Sequence, residues 1–147
     1  YDFTRTWCIG HASPKIEQLY NEVVTAYDLA LSNLQSGQHC STTQKLVNDY
    51  LEQQGHNTTR SHPGTNRGYV HTLGHGIGLS VHEHPRLSET ASEDDILQAG
   101  MALTIEPGLY YPEDNIGIRV ENYVWLNPAT GYPEHIGAFD RELVIPI

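Results

Sequence analysis

Two glutamates stand inside apolar β segments in the last third of the chain, and they constrain its fold more than any other feature. Glu106 lies in Thr-Ile-Glu-Pro-Gly, and Glu121 lies in Ile-Arg-Val-Glu. Burying a carboxylate in such a segment costs free energy unless an opposite charge or a cation neutralises it. Either both side chains face solvent on the polar side of their strands, as most glutamates do, or the chain folds so that they share a cation.

A histidine- and glycine-rich stretch, YVHTLGHGIGLSVHEHP, covers residues 69–85 and supplies nitrogen donors for such a cation. Its histidines are at positions 71, 75, 82 and 84, and the glycines between them would let backbone segments approach closely. The zinc-protease helix signature H-E-x-x-H is absent from it. Spacing alone leaves open whether these histidines form a site or belong to a polar loop.

The sequence of residues 13–55 predicts two helices. Each predicted helix begins with a capping signal, and apolar residues then recur at helical spacing. A glycine is expected to end each helix. The first start is a serine N-cap followed by proline, and the second is a capping box of Ser41 and Gln44. The predicted helices run from Ser13-Pro14 to Gly37 and from Ser41 to Gly55.

The rest of the chain predicts strands and loops. The opening segment reads as a strand in which Asp2, Thr4, Thr6 and Cys8 point one way and their neighbours the other. Polar loops are expected at 56–68 and 88–95. Later strands are expected at 101–106, 109–111, 116–126 and 141–147. One strand, two helices and then several strands indicate an α+β fold in a single domain, residues 1–147.

Bulk properties exclude several classes of partner. The formal net charge of −10 argues against nucleic acid, which needs a basic surface. No apolar run approaches the roughly 20 residues that span a bilayer, so we expect no membrane partner and a cytoplasmic location. Cys8 and Cys40 could form one bridge or remain reduced. The first residue is Tyr1 rather than methionine, so we expect a fragment or a processed product.

Four blocks of the sequence, taken together, resemble the pita-bread metallopeptidases. This family comprises methionine aminopeptidases, Xaa-Pro aminopeptidases, prolidases and the related creatinases. The blocks occur in the family's order and spacing, and the resemblance covers essentially the whole chain. They are DFTRT at 2–6, HTLGHGIGLSVHEHP at 71–85, TIEPGLYY at 104–111 and GIRVEN at 117–122. The resemblance implies a pita-bread fold, of which this chain would be the C-terminal half: two helices packed on a curved, mainly antiparallel sheet.

The resemblance also implies a site with two divalent metal ions. The implied ligands are Asp2, His75, Glu106 and Glu121, with Asp2 and Glu121 bridging the metals. Glu106 matches the family's general base. Oxygen-rich ligation favours Mn²⁺, with Co²⁺ or Zn²⁺ as substitutes.

Three other residues match family positions that do not bind metal. His71 and His82 correspond to histidines that contact the substrate and steady the reacting carbonyl. Arg119 corresponds to a partner of the ligand carboxylates. His84 has no predicted role.

The expected substrate is a peptide with proline at its second position. IEPGLYY, and the arginine two residues before Glu121, look more like the Xaa-Pro branch than like methionine aminopeptidases. The choice between Xaa-Pro aminopeptidase and dipeptidase (prolidase) stays open. A methionine aminopeptidase-like enzyme and a metal-free peptide-binding module are the alternatives.

The chain departs from the family pattern in three respects. The first aspartate ligand, expected just upstream of Asp2, is absent, as is the first half of the pseudo-twofold fold. The loop at 56–68 is longer than is typical of the family. We therefore expect incomplete metal occupancy and weak or no activity from the 147-residue chain alone. The expected protein partners are a second copy of the chain or the missing half, and the missing half supplied by another chain would restore activity.

Overall fold

A computed structural model describes residues 2–137 and 139–147 and has an α+β fold. Its helices are α1 (Pro14–Asn33) and α2 (Ser41–Gln53). Its strands are β1 (Cys8–Ile9), β2 (Gly74–Gly76), β3 (Glu83–Leu87), β4 (Ala102–Ile105), β5 (Gly108–Tyr111), β6 (Ile116–Arg119), β7 (Asn122–Leu126), β8 (Pro133–His135) and β9 (Val144–Ile145).

The strands form one five-stranded sheet and two strand pairs. The large sheet has the order β3-β2-β4-β7-β8, and its neighbouring strands are antiparallel. The pair β5-β6 is antiparallel, whereas β1 and β9 are parallel. Together with the two helices, this arrangement confirms the predicted α+β, mainly antiparallel fold.

Helix α1 packs against α2 and against β4, β5 and β6, while α2 also packs against β3. The contact is made by an apolar stripe that recurs at helical spacing. On α1 the stripe consists of Leu19, Tyr20, Val23, Ala26, Tyr27 and Ala30, all of them buried. Helix α1 therefore covers β4 and β6, the strands that precede Glu106 and Glu121.

The two helix starts differ in their caps. Ser13 caps α1 as predicted, because its hydroxyl accepts a hydrogen bond from the amide of Ile16 at 3.4 Å. The capping box predicted for α2 is wrong. The Ser41 hydroxyl instead contacts Nδ1 of His39 at 2.8 Å. The side-chain oxygen Oε1 of Gln44 accepts a hydrogen bond from the Leu73 amide at 2.6 Å. Gln44 thus links α2 to the histidine stretch.

The strand predicted at 116–126 is two strands in different sheets. β6 pairs with β5 and β7 pairs with β4, and the chain passes between the sheets at Val120-Glu121. Ile118, Val120 and Val124 are all buried, but Glu121 and Asn122 are buried as well, so burial does not alternate where the chain passes between the sheets. Strand β8 was not predicted, because its residues Pro-Glu-His carry no alternating pattern.

The opening segment is less regular than predicted. Tyr1 lies outside the described residues. Between Asp2 and Ile9 the chain forms one isolated bridge, Thr4 to Glu121, and the short strand β1. Its alternation nevertheless holds, since Phe3 packs edge-on against Tyr123, whereas Asp2 and Thr4 approach the candidate site.

The remaining expectations concern cysteines and membranes. Cys8 and Cys40 are both free thiols, and burial raises the pKa of Cys40 to about 11. Within the described part of the chain, no helix has the length and apolar character needed to cross a membrane.

Candidate metal centre

The candidate site lies where four segments that are distant in sequence meet. Strand β2 contributes His75, and Glu106 follows the end of β4. Glu121 lies at the passage from β6 to β7, and Asp2 lies in the opening segment. The ligand atoms of His75, Glu106 and Glu121 all lie within 4.8 Å of one another.

Close backbone contact between strands sets the position of His75. A Cβ atom on Gly74 would overlap the carbonyl oxygen of Thr104, and one on Gly76 would overlap that of His84. Glycine is therefore required on both sides of His75 because neighbouring backbone occupies the space. The sequence predicted that these glycines let backbone segments approach closely, and the structure confirms this, because they let β2 approach its neighbours.

The His75 ring presents one nitrogen to the site. Its Nδ1 lies 3.0 Å from the carbonyl oxygen of Gly76, so this nitrogen carries the donated hydrogen. The opposite nitrogen, Nε2, lies 3.3 Å from Oε1 of Glu106 and 3.8 Å from Oδ2 of Asp2. A ring oriented in this way leaves the Nε2 lone pair for a cation.

Arg119 and Thr4 hold the carboxylates in place. The Arg119 guanidinium lies 3.6 Å from Glu121 and 3.9 Å from Glu106, and its Nε donates to the Thr4 hydroxyl at 3.0 Å. Thr4 in turn donates a short hydrogen bond to Glu121. Arg119 therefore lies beside the carboxylates, where its resemblance to the family predicted it.

Arg5 fastens the opening segment to the same place. Its guanidinium donates to the carbonyl oxygens of Thr4 and Glu121, at 2.8 and 2.7 Å, and to the side chain of Asn122 at 2.5 Å. Further bonds reach the carbonyl oxygens of Phe139 and Asp140, both at 3.0 Å. Sequence reasoning assigned Arg5 no role, because its carbonyl partners other than Thr4 are far away in sequence.

The carboxylates outnumber the cationic groups. Among the described residues, Arg119 forms ion pairs with Glu106 and Glu121, Arg5 lies beside Glu121, and Glu121 is 1 % exposed. Burial, and then the charge of Glu121, raise the pKa of Glu106 to about 7. Burial also raises the pKa of Glu121. Three carboxylates and an imidazole nitrogen fit a divalent cation, because oxygen and imidazole ligands are those that hydrolytic metals take.

The two predicted substrate-contacting histidines lie in different surroundings. The His82 ring is exposed and packs edge-on against His75, with ring centroids 4.4 Å apart. Within the described residues, His71 belongs to no group of side chains whose ligand atoms converge. It is held by the carbonyl oxygen of Thr72 at 2.8 Å and the Tyr110 hydroxyl at 3.2 Å. Burial lowers the pKa of His71, so its ring is neutral near pH 7.

Tyr110 is a site residue that the sequence reasoning missed. Its hydroxyl contacts His71, and its ring borders an open depression of about 250 Å³ together with Thr4, Thr6, Gly117 and Arg119. Burial raises the pKa of Tyr110, so the hydroxyl stays protonated. Its place directly after Pro107-Gly108-Leu109, in the TIEPGLYY block, was the available signal.

The raised pKa of Glu106 predicts how the metal-free protein responds to pH. The ordinary pKa of 4.5 applies to the unfolded chain and a pKa of about 7 to the folded one. The stability that Glu106 contributes is therefore fully present below about pH 4.5 and is lost as the pH rises towards 7, because the folded state must then ionise a buried group. We expect Glu106→Gln to raise the free energy of unfolding by about 1–3 kcal/mol at pH 8.

Urea unfolding in a metal chelator, at pH 5 and pH 8, measures this effect. The gain from Glu106→Gln should largely vanish at pH 5, where the folded protein already carries the proton. Glu93→Gln, at an exposed position in the acidic loop, serves as the matched control and should show no such difference. An equal gain at both pH values would contradict the predicted charge penalty.

Comparison with known proteins shows the family of this chain. Residues 1–128 match the Metallopeptidase family M24, and the protein belongs to this family. It is similar to the Xaa-Pro dipeptidase of Pyrococcus furiosus, with 31 % identity over 125 residues. The match covers 85 % of this chain but 32 % of the relative. The chain thus spans about a third of the length of the curated relatives it matches.

Solved structures have the same fold. The X-Pro aminopeptidase of Thermotoga maritima superposes with a TM-score of 0.84 and 29 % identity, over 99 % of this chain and 38 % of that one. An X-prolyl aminopeptidase of Caenorhabditis elegans, described as a cytosolic enzyme with a di-nuclear active site, superposes with a TM-score of 0.62 and 27 % identity. That match covers 78 % of this chain and 17 % of that one. The pita-bread fold predicted from the sequence is confirmed.

Proposed function

We propose that this protein hydrolyses the peptide bond between an N-terminal residue and a following proline, using two divalent metal ions. The convergence of His75, Glu106 and Glu121, with Asp2 beside them, is the observation that carries the proposal. Relatives with 31 % identity bear the name Xaa-Pro dipeptidase, which supports this substrate class. Mn²⁺ is the proposed metal because three of the four donors are carboxylates.

The chemistry divides between the metal and the protein. When bound, divalent ions would polarise the scissile carbonyl and lower the pKa of water towards neutrality. Glu106 accepts a proton from the attacking water and returns it to the proline nitrogen as the peptide bond breaks. The positive charge of Arg119 reduces the repulsion between the Glu106 and Glu121 carboxylates. It also keeps both side chains oriented towards the ions.

Two histidines complete the proposed site. The exposed His82 donates a hydrogen bond from its ring to the substrate carbonyl. His71 is neutral and partly buried. Its contact with the Tyr110 hydroxyl holds the two side chains that form the side of the site along which the peptide lies. The depression beside Tyr110 and Arg119 is open enough to admit an extended peptide.

We also propose that these residues are the C-terminal part of the catalytic domain and that further ligands come from outside them. The short share of each relative that the chain covers supports this proposal. A cytosolic location is proposed from the resemblance to the Caenorhabditis elegans enzyme. Pairing with a segment that carries the other aspartate would complete the site, and a homodimer is a second proposed assembly.

The substrate assignment predicts a specific pattern of cleavage by a longer protein that contains this chain. With Mn²⁺ supplied, we expect release of the first residue from Xaa-Pro peptides. Peptides in which alanine replaces proline should be cleaved far more slowly. Liquid chromatography of an Xaa-Pro dipeptide and an Xaa-Pro-Yaa tripeptide would distinguish a dipeptidase from an aminopeptidase.

Preferential cleavage after methionine would instead support the methionine aminopeptidase-like alternative. Peptide binding with no hydrolysis and no bound metal would support a binding module. The 147-residue chain tested alone should show weak activity or none. Robust Xaa-Pro cleavage by that chain, with stoichiometric metal, would contradict the proposal that part of the site lies outside it.

A further inference from the structure

A second group of converging donors overlaps the proposed centre. The ligand atoms of Asp2, His75 and His82 also lie within 4.8 Å of one another. His82 comes from the loop that leads into β3, whereas His75 lies within β2, so the fold alone brings the two rings together. They pack edge-on at an interplanar angle of 62°. The resemblance to the family assigned His82 to the substrate and not to a metal.

The two groups of donors differ in chemistry. His75 with Glu106 and Glu121 offers one nitrogen and two oxygens, which suits Mn²⁺. Asp2 with His75 and His82 offers two imidazole nitrogens and one oxygen. Imidazole ligation is characteristic of Zn²⁺, which is commonly bound by two histidines and a carboxylate with an open position for water. The nitrogen-rich group should therefore favour Zn²⁺ over Mn²⁺ more strongly than the oxygen-rich group does.

His75 makes the two groups compete. Its Nδ1 is engaged with the carbonyl oxygen of Gly76, so Nε2 is the ligand atom in either group. An ion that takes this nitrogen together with His82 removes it from the group containing Glu106. The zinc group and the proposed catalytic arrangement share Asp2 as well as His75, so they are alternatives, and the supply of each metal decides between them.

Two of the three donors in the nitrogen-rich group are open to solvent, whereas His75 is buried. The His82 ring is exposed, and the preceding loop carries Leu79 fully exposed and Val81 about half exposed. The Asp2 side chain is partly exposed. An ion can reach these donors, and His82 can turn towards it without disturbing the core. Glu121, in contrast, is buried.

We propose that Asp2, His75 and His82 form a zinc site that competes with the catalytic arrangement and withdraws His82 from the substrate. Excess Zn²⁺ would then inhibit the protein through a residue that the ordinary metal does not bind. The inhibitory consequence rests on the proposed function. The zinc site itself does not, because metal binding is measured without substrate.

Metal titration of three proteins tests the proposal. Wild type, His82→Ala and His84→Ala are titrated with Zn²⁺ and with Mn²⁺ at one pH, by calorimetry or against a chromophoric chelator. His84 is the matched control, because it is an exposed histidine two residues away that belongs to neither group. Thermal unfolding of the metal-free variants checks that folding is preserved.

The proposal predicts a difference between the metals rather than a general loss. Removing a residue that merely supports a ligand costs about 10–100-fold in affinity, and losing the ligand itself should cost at least as much. We expect His82→Ala to weaken Zn²⁺ binding at least tenfold and to leave Mn²⁺ binding nearly unchanged. His84→Ala should alter neither affinity.

Two results would overturn the zinc site. Unchanged Zn²⁺ affinity in His82→Ala would show that the ring is not a ligand, and equal weakening of both metals would show that it does not discriminate between them. Failure of the proposed function would look different: a longer protein that contains this chain would bind Mn²⁺ but leave Xaa-Pro peptides intact, whatever the titrations showed.

Discussion

Replacing Glu106 with glutamine is expected to slow Xaa-Pro hydrolysis by about 10²–10⁴-fold, the usual contribution of a positioned proton-transfer group. Glutamine keeps an oxygen that can face a metal but cannot accept and return a proton. The measurement is kcat at saturating substrate in a longer, active protein that carries this chain. Metal content is determined on the same sample, because Glu106 is also a proposed ligand.

Glu93→Gln removes a carboxylate of the same kind from an exposed loop position and should retain the wild-type rate. A Glu106→Gln variant that turns over at the wild-type rate would exclude Glu106 as the general base. A variant that loses metal together with rate would show that Glu106 acts as a ligand.

Replacing His75 with alanine is expected to have its largest effect on metal binding. Its Nε2 is the nitrogen that both groups of donors share, and no other ring lies close enough to Glu106 within the described residues to join that group. We expect Mn²⁺ affinity to fall by at least the 10–100-fold that loss of an outer-shell partner costs. Metal analysis after gel filtration, with His84→Ala as the control, measures the effect.

His82→Ala provides the decisive comparison for His75. With Mn²⁺ it should retain the metal and lose rate, because His82 is proposed to contact the substrate. Equal Mn²⁺ content in His75→Ala and His82→Ala would contradict the division of roles between the two histidines.

Much of the site could be predicted because burial of charge is a strong local constraint. Glu106 and Glu121 stand in apolar segments, and a carboxylate there must meet a cation or face solvent. The structure buries Glu121 and places both near His75 and Arg119. Whether these residues bind metal remains a prediction, and the geometry is what such a role requires.

Some assignments could not be made from local sequence. Tyr110 and Arg5 act through partners that are distant along the chain, namely His71 and the carbonyl oxygens around Glu121. Their identity as aromatic and basic residues carries no signal by itself. The approach of His82 to His75 depends likewise on where the loop before β3 returns to β2.

The sequence by itself determined the helices and the family, because capping, hydrophobic period and motif order are properties of neighbouring residues. Only the tertiary structure decided that the chain changes sheets at Val120-Glu121 and that Ser41 does not cap α2 through its side chain. It also decided which histidine nitrogen faces the carboxylates. The physical reason is that strand partners and converging charges come from different segments of the chain, whose meeting no local pattern records.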